Sequence, residues 1–299
     1  MAEPRSRATE LDVDHLVGLR REAANVQFDF VRSDNRTGGL AGRRRGRGSD
    51  IRELRLYAEG DDLRHVDAMA SVRSGQLQVR TFHEDQDRTV LLVADFRPPM
   101  LWGTRRRLRS VAAGEALALA GWQAVLAGGK VGLLAVTADH AYHVPPQARD
   151  KAMLRIAGAL SRAHDQASAF AGHQDTRPVD ALATVLERAA RLAPSGSTVL
   201  IATGLDDPGS DFADVSGSLA RRTQLIFFLV RDGIEGDKSV PSLPYLPLGS
   251  SARAAPTWGD LARNTSDRTL DILPKGASFR LVDAAATKPG ALIQFGQVA

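Results

Sequence analysis

Continuous apolar runs recur along the chain and alternate with longer stretches of helical period. Thr89–Ala94, Val131–Val136, Thr198–Ala202 and Leu225–Val230 are apolar throughout, the pattern of strands buried on both faces. Between them the Ala/Leu-rich segment Leu108–Leu126, closed by Gly128-Gly129, reads as a helix, as do the stretches near 149–170, 178–192 and 212–222. A short strand is predicted around Tyr142–Val144. Apolar strands alternating with helices predict an α/β fold, a mostly parallel sheet flanked by helices on both faces.

The flanks read differently. Residues 10–31 place Leu11, Leu16, Leu19, Ala23, Val26 and Phe30 at spacings of three to five, with Asp12 and Asp14 at the start, which predicts an amphipathic N-terminal helix. Ser33 to Asp50 is rich in Gly and Arg and reads as a loop. Residues 76–82 alternate apolar and polar, as in a half-exposed strand. The tail from Ser239 to Pro274 is rich in Pro, Gly and Ser, after which Phe279–Val282 and Ala291–Ile293 are candidate edge strands. The expected organisation is an N-terminal part, 1–87, holding the helix, the Arg/Gly loop and an extended insert packed on the main body, followed by an α/β domain, 88–299, with an irregular C-terminal extension.

Composition narrows the picture. With 299 residues, 43% of them apolar, the chain can bury its own core, and with no cysteine it has no disulfide, thiolate or Cys-ligated metal chemistry. The charged N-terminus and the lack of an 18-residue apolar window argue against a signal peptide and membrane insertion, so a cytoplasmic location is expected. Net charge is only +4, although 34 of the 39 basic residues are Arg. The Arg43–Arg47 loop and the cluster Arg105-Arg106-Arg107-Leu108-Arg109 keep nucleic acid open as an alternative partner, yet neither is interleaved with aromatics.

One segment is specific. Glu53, Arg55, Tyr57, Gly60, Asp61, Asp62, Arg64 and Asp67, followed by Arg73, closely resemble the signature of a bacterial family called domain of unknown function 58. The resemblance covers about residues 38–235, with Ala68 where the family usually has Trp. It implies a von Willebrand factor type A-like, Rossmann-like domain beginning at Thr89–Asp95, and association with a MoxR-type AAA+ ATPase. Read on their own, these charged residues can form a hydrogen-bonded network that holds the insert, or, as a further alternative, an enzyme's active site.

Domains of that type usually bind a divalent cation through D-x-S-x-S after the first strand, a distant Thr and a later Asp, because hard cations need oxygen ligands. Here the motif reads Asp95-Phe96-Arg97-Pro98-Pro99, and Gly204 in Thr203-Gly204-Leu205-Asp206 stands where the Asp is expected. Asp95, Thr176 and Asp206 make a poor cage beside Arg97, so the site is expected to be degenerate, with an Arg97–Asp95 salt bridge and no metal or other cofactor.

His140 and His143 lack a third ligand nearby, and no nucleophile elbow, phosphate-binding loop or His-Glu-x-x-His pair occurs. The expectation is a non-catalytic protein-interaction module. Its partner would bind at the carboxyl ends of the strands, at Asp95, Arg97, Trp102, Thr203 and Asp206.

Overall fold

The apolar runs form the middle of a sheet whose two faces are both covered, which is why they carry no polar alternation. In the computed structural model, which describes residues 6–26, 51–58, 61–82, 89–171, 179–235 and 272–294, the chain divides into two compact units. One comprises residues 1–32 and 89–299, the other residues 33–88.

The larger unit opens with three short helices, α1 (Ser6–Thr9), α2 (Val13–Gly18) and α3 (Arg20–Ala23). Within residues 10–26, α2 and α3 stand where periodicity predicts one continuous helix. Asp12 caps α2 through the His15 amide, and the break falls at Gly18-Leu19, where glycine disfavours helix. Leu11, Leu16, Leu19 and Ala23 are nevertheless all buried, as the spacing predicts. Phe30 and the Arg/Gly loop lie outside the described residues.

In the smaller unit, β1 (Ile51–Leu56) and β2 (Gln78–Phe82) pair antiparallel and enclose helix α4 (Ala68–Ser74) in sequence.

The seven-stranded sheet comprises β3 (Thr89–Asp95), β4 (Lys130–Val136), β5 (Ala141–Ala148), β6 (Thr198–Thr203), β7 (Gln224–Arg231), β8 (Ser278–Asp283) and β9 (Ile293–Gln294), in the order β5-β4-β3-β6-β7-β8-β9. All neighbours are parallel except β4 with β5 and β8 with β9. Four helices connect them: α5 (Arg109–Leu126), α6 (Asp150–Ala171), α7 (Leu182–Leu192) and α8 (Phe212–Arg222). Successive residues of a strand feed opposite layers. Leu92, Leu200 and Phe228 pack into the core under α5 and α6, while Leu91, Ile201 and Phe227 pack into the core under α7 and α8.

Helix α5 is apolar on almost every side because it lies in the middle of a layer. Gly114 receives Leu11 so closely that a Cβ there would overlap its methyl groups. Trp122 donates to the Leu16 carbonyl at 2.9 Å. The N-terminal helices therefore complete the core of the larger unit.

This topology places the site. After β3 the chain moves to β4 on one side, and later returns to β6 on the other, so the carboxyl ends of β3 and β6 form the switch point where open α/β sheets part their loops.

Candidate functional site

Asp95 ends β3 and Thr203 ends β6, on adjacent strands, and both are fully buried. Thr203 donates its hydroxyl to Asp95 Oδ2 at 2.7 Å and accepts the Leu205 amide at 3.1 Å. The expected salt bridge is present. Arg97, 1% exposed, turns back onto Asp95 with Nε 2.8 Å from Oδ1 and Nη2 2.9 Å from Oδ2, a bidentate fork. The other edge of the guanidinium donates to three backbone carbonyls: Nη1 to Asp180 at 2.8 Å and Asp207 at 3.4 Å, and Nη2 to Asp206 at 2.9 Å.

Burial alone would push the Arg97 pKa down. Asp95 outweighs it, with Asp206 and Asp207 adding to the effect, so the group lies above the ordinary arginine value. The Asp206 and Asp207 carbonyls come from a tight loop in which Leu205 and Asp207 have φ of 60° and 45°, the left-handed region that costs a non-glycine residue energy.

A second arginine closes the site from the other side. Arg109, first residue of α5, is 2% exposed and donates to Asp206 Oδ2 at 2.9 Å, to the Pro99 carbonyl at 3.2 Å and to the Val230 carbonyl at 3.3 Å. Its guanidinium lies over the Trp102 ring at 5.3 Å. A cation at a helix N-terminus opposes the helix dipole, and burial depresses its pKa further. Asp206 and Glu235 reverse the balance and hold it above the usual value. Glu235 itself is raised by burial, Arg109 offsetting only part of this. Gly204 makes the arrangement possible, since a Cβ there would overlap the Arg109 guanidinium and the Asp206 carboxylate.

The structure thus brings Asp95, Arg97, Thr203 and Asp206 together, with Trp102 alongside. Asp95, Arg97 and Thr203 lie beneath the surface, however, so within this arrangement they shape the loops and do not touch a partner directly. Trp102 is half-buried and the Asp206 side chain is 34% exposed. Thr176 lies outside the described residues.

Sequence reasoning missed Arg109, Asp180 and Glu235. Arg109 was read as part of a basic surface cluster, but that cluster is split. Arg107 reaches inward to Glu115 and, at 2.6 Å, to the Ala286 carbonyl, while Arg105 and Arg106 remain exposed.

A divalent cation does not fit this site. The Arg97 guanidinium, held by five oxygens, fills the space beside the carboxylate, and the room a carboxylate would need at 204 is taken by Arg109. His140 lies on Asp139 at 2.9 Å, and no group of three or more potential metal ligands occurs among the described residues.

In the smaller unit the signature residues work locally. Arg55 Nη2 contacts Asp61 Oδ1 at 2.7 Å, and Asp61 Oδ2 accepts the Ala58 amide at 2.9 Å. Asp62 accepts the Arg64 amide at 3.0 Å, and Asp67 caps α4 through the Ala70 amide at 2.9 Å. The Tyr57 amide donates to the Leu77 carbonyl at 2.8 Å, and Arg73 lies in the last turn of α4. Gly60 and the Glu53 side chain lie outside the described residues.

A family model described as "Protein of unknown function DUF58" matches residues 53–251. Among solved structures the chain is similar to BatB, a conserved hypothetical protein from Bacteroides thetaiotaomicron, at 13% identity and a TM-score of 0.37, with 65% of this chain and 90% of that chain covered. No curated protein matches. No helix among the described residues is long and apolar enough to cross a membrane.

Proposed function

Since the chain belongs to the DUF58 family of proteins of unknown function, a membership that prescribes no activity, we propose from its own surfaces that it works without catalysis, by binding another protein. The observation that carries this reading is the distribution of exposed apolar side chains. Of the ten large ones exposed among the described residues, six lie in the smaller unit: Leu54, Leu56, Leu63, Met69, Val72 and Leu77. Met69 and Val72, 74% and 85% exposed, stand one turn apart on α4, while Ala70 faces inward. Exposed apolar side chains that lie side by side, as Met69 and Val72 do, mark interaction surfaces where scattered single ones do not.

The partner we propose is a MoxR-type AAA+ ATPase, as the sequence resemblance implies, met by a cytoplasmic, von Willebrand factor type A-like protein whose cation site is degenerate. The nucleic-acid alternative is weakened because Arg107 and Arg109 are spent on internal carboxylates. Asp61, Asp62 and Asp67, carboxylates that an enzyme would need in a shared cleft, serve as caps and turn acceptors.

The test is recovery of partners on the tagged protein from its own cells, comparing wild type with Met69→Glu/Val72→Glu and with Trp102→Ala. We expect an AAA+ ATPase to co-purify with wild type and to be lost from the double variant. Recovery of nuclease-sensitive nucleic acid in its place would sink the reading.

A further inference from the structure

The sheet top contains a fully buried positive charge for which no catalytic or partner-binding step has been assigned. Arg97 is 1% exposed, and all three of its guanidinium nitrogens are used, on the two Asp95 oxygens and on the carbonyls of Asp180, Asp206 and Asp207. These five oxygens come from three chain segments distant in sequence. Two of the carbonyls belong to the loop that holds Leu205 and Asp207 at positive φ, an arrangement that persists only where surrounding contacts over-determine it. A ring of carboxylate and carbonyl oxygens is what a hard cation requires, and here a side chain supplies the charge.

We propose that Arg97 is a built-in cation: its guanidinium takes the place of a divalent ion at the ends of β3 and β6 and holds the 203–207 loop in one arrangement with no metal. With the Arg97 side chain removed, the same five oxygens would be left for a guanidinium-class ligand, because they accept from all three nitrogens of a fork-shaped donor. Arg109 secures the same loop through Asp206, and Gly204 leaves the room that the Arg109 guanidinium occupies. The inference concerns the chemistry of the sheet top and stands whether or not an ATPase binds.

Thermal unfolding and amide exchange of the full chain test it. For wild type, Tm and protection of residues 203–207 should be the same in EDTA and in millimolar Mg2+, Mn2+ or Ca2+. Arg97→Ala should unfold roughly 10 °C lower, its buried carboxylate unpaired, and should regain most of that loss in methylguanidinium but not in tetramethylammonium. If Arg97→Ala does not fold, Arg97→Lys serves: it keeps the charge but cannot span the five oxygens, so exchange at 203–207 should quicken at least tenfold. A divalent ion that protects the wild-type loop would overturn the proposal. So would an Arg97→Ala variant indifferent to methylguanidinium, or an Arg97→Lys variant that exchanges like wild type.

Discussion

Two Arg–Asp pairs, Arg97 with Asp95 and Arg55 with Asp61, have nearly the same separation, 2.8 and 2.7 Å, and differ in the surroundings of the arginine. Both side chains of the first pair are 1% exposed, whereas in the second Asp61 is 3% exposed and Arg55 33%. At the sheet top every donor of Arg97 is consumed by a protein oxygen, so the pair determines where three segments of chain meet. In the smaller unit Asp61 accepts the Ala58 amide beside its arginine, and solvent reaches that arginine. The same chemistry therefore acts as an architectural joint in one region and as local punctuation in the other. The energetic asymmetry is large because a buried charge that loses its partner cannot recover hydration, while an exposed one can.

Substitutions can break this comparison, beginning with the most damaging. Gly204→Asp, which restores the residue type expected in a cation-binding loop, forces its side chain into the Arg109 guanidinium and should cost about 4 kcal/mol or more in urea unfolding. Asp95→Ala leaves Arg97 and Thr203 without their acceptor and should cost roughly 3 to 5 kcal/mol.

Acid should weaken the sheet-top side selectively. His164 is fully buried against Phe96, with Nε2 3.0 Å from the Ser110 hydroxyl and Nδ1 without a partner among the described residues, and burial lowers its pKa from 6.5 to about 4. The unfolded chain therefore binds this proton more readily. Stability present above pH 6.5 is lost as pH falls towards 4, by roughly 3 kcal/mol in total. Urea titrations from pH 7 to 4 should show this slope, and His164→Gln should flatten it.

The smallest effects belong to the smaller unit. Asp67→Ala removes the α4 cap and should cost about 1 kcal/mol, and Asp61→Ala, which leaves behind an arginine that solvent still reaches, should cost less than Asp95→Ala. Amide exchange within 51–82 is the sensitive readout. If Asp61→Ala matched Asp95→Ala in urea, the contrast between the two pairs would be wrong.

The chain's own pattern determined the sheet's centre and its cover. The apolar runs of β3, β4, β6 and β7 and the helices α5 to α8 have boundaries close to those read from periodicity, because burial on both faces writes itself into every residue of a strand. Asp95 and its salt bridge with Arg97 were legible by another route, the cation-binding motif that the family resemblance implies after that strand.

What only the tertiary structure decided depends on distant partners. β1 alternates Leu with charged residues and becomes a strand through β2, more than twenty residues away. β5 is longer than its short apolar stretch predicts because β4 supplies the register of an antiparallel edge. Arg109 is surrounded in sequence by other arginines, and nothing nearby distinguishes it from those that face water. Its burial is set by Asp206, 97 residues further along the chain. Hydrophobic period is a local signal that the chain carries in itself. Whether a guanidinium meets water or a buried carboxylate is settled only when the loops at the ends of adjacent strands come together.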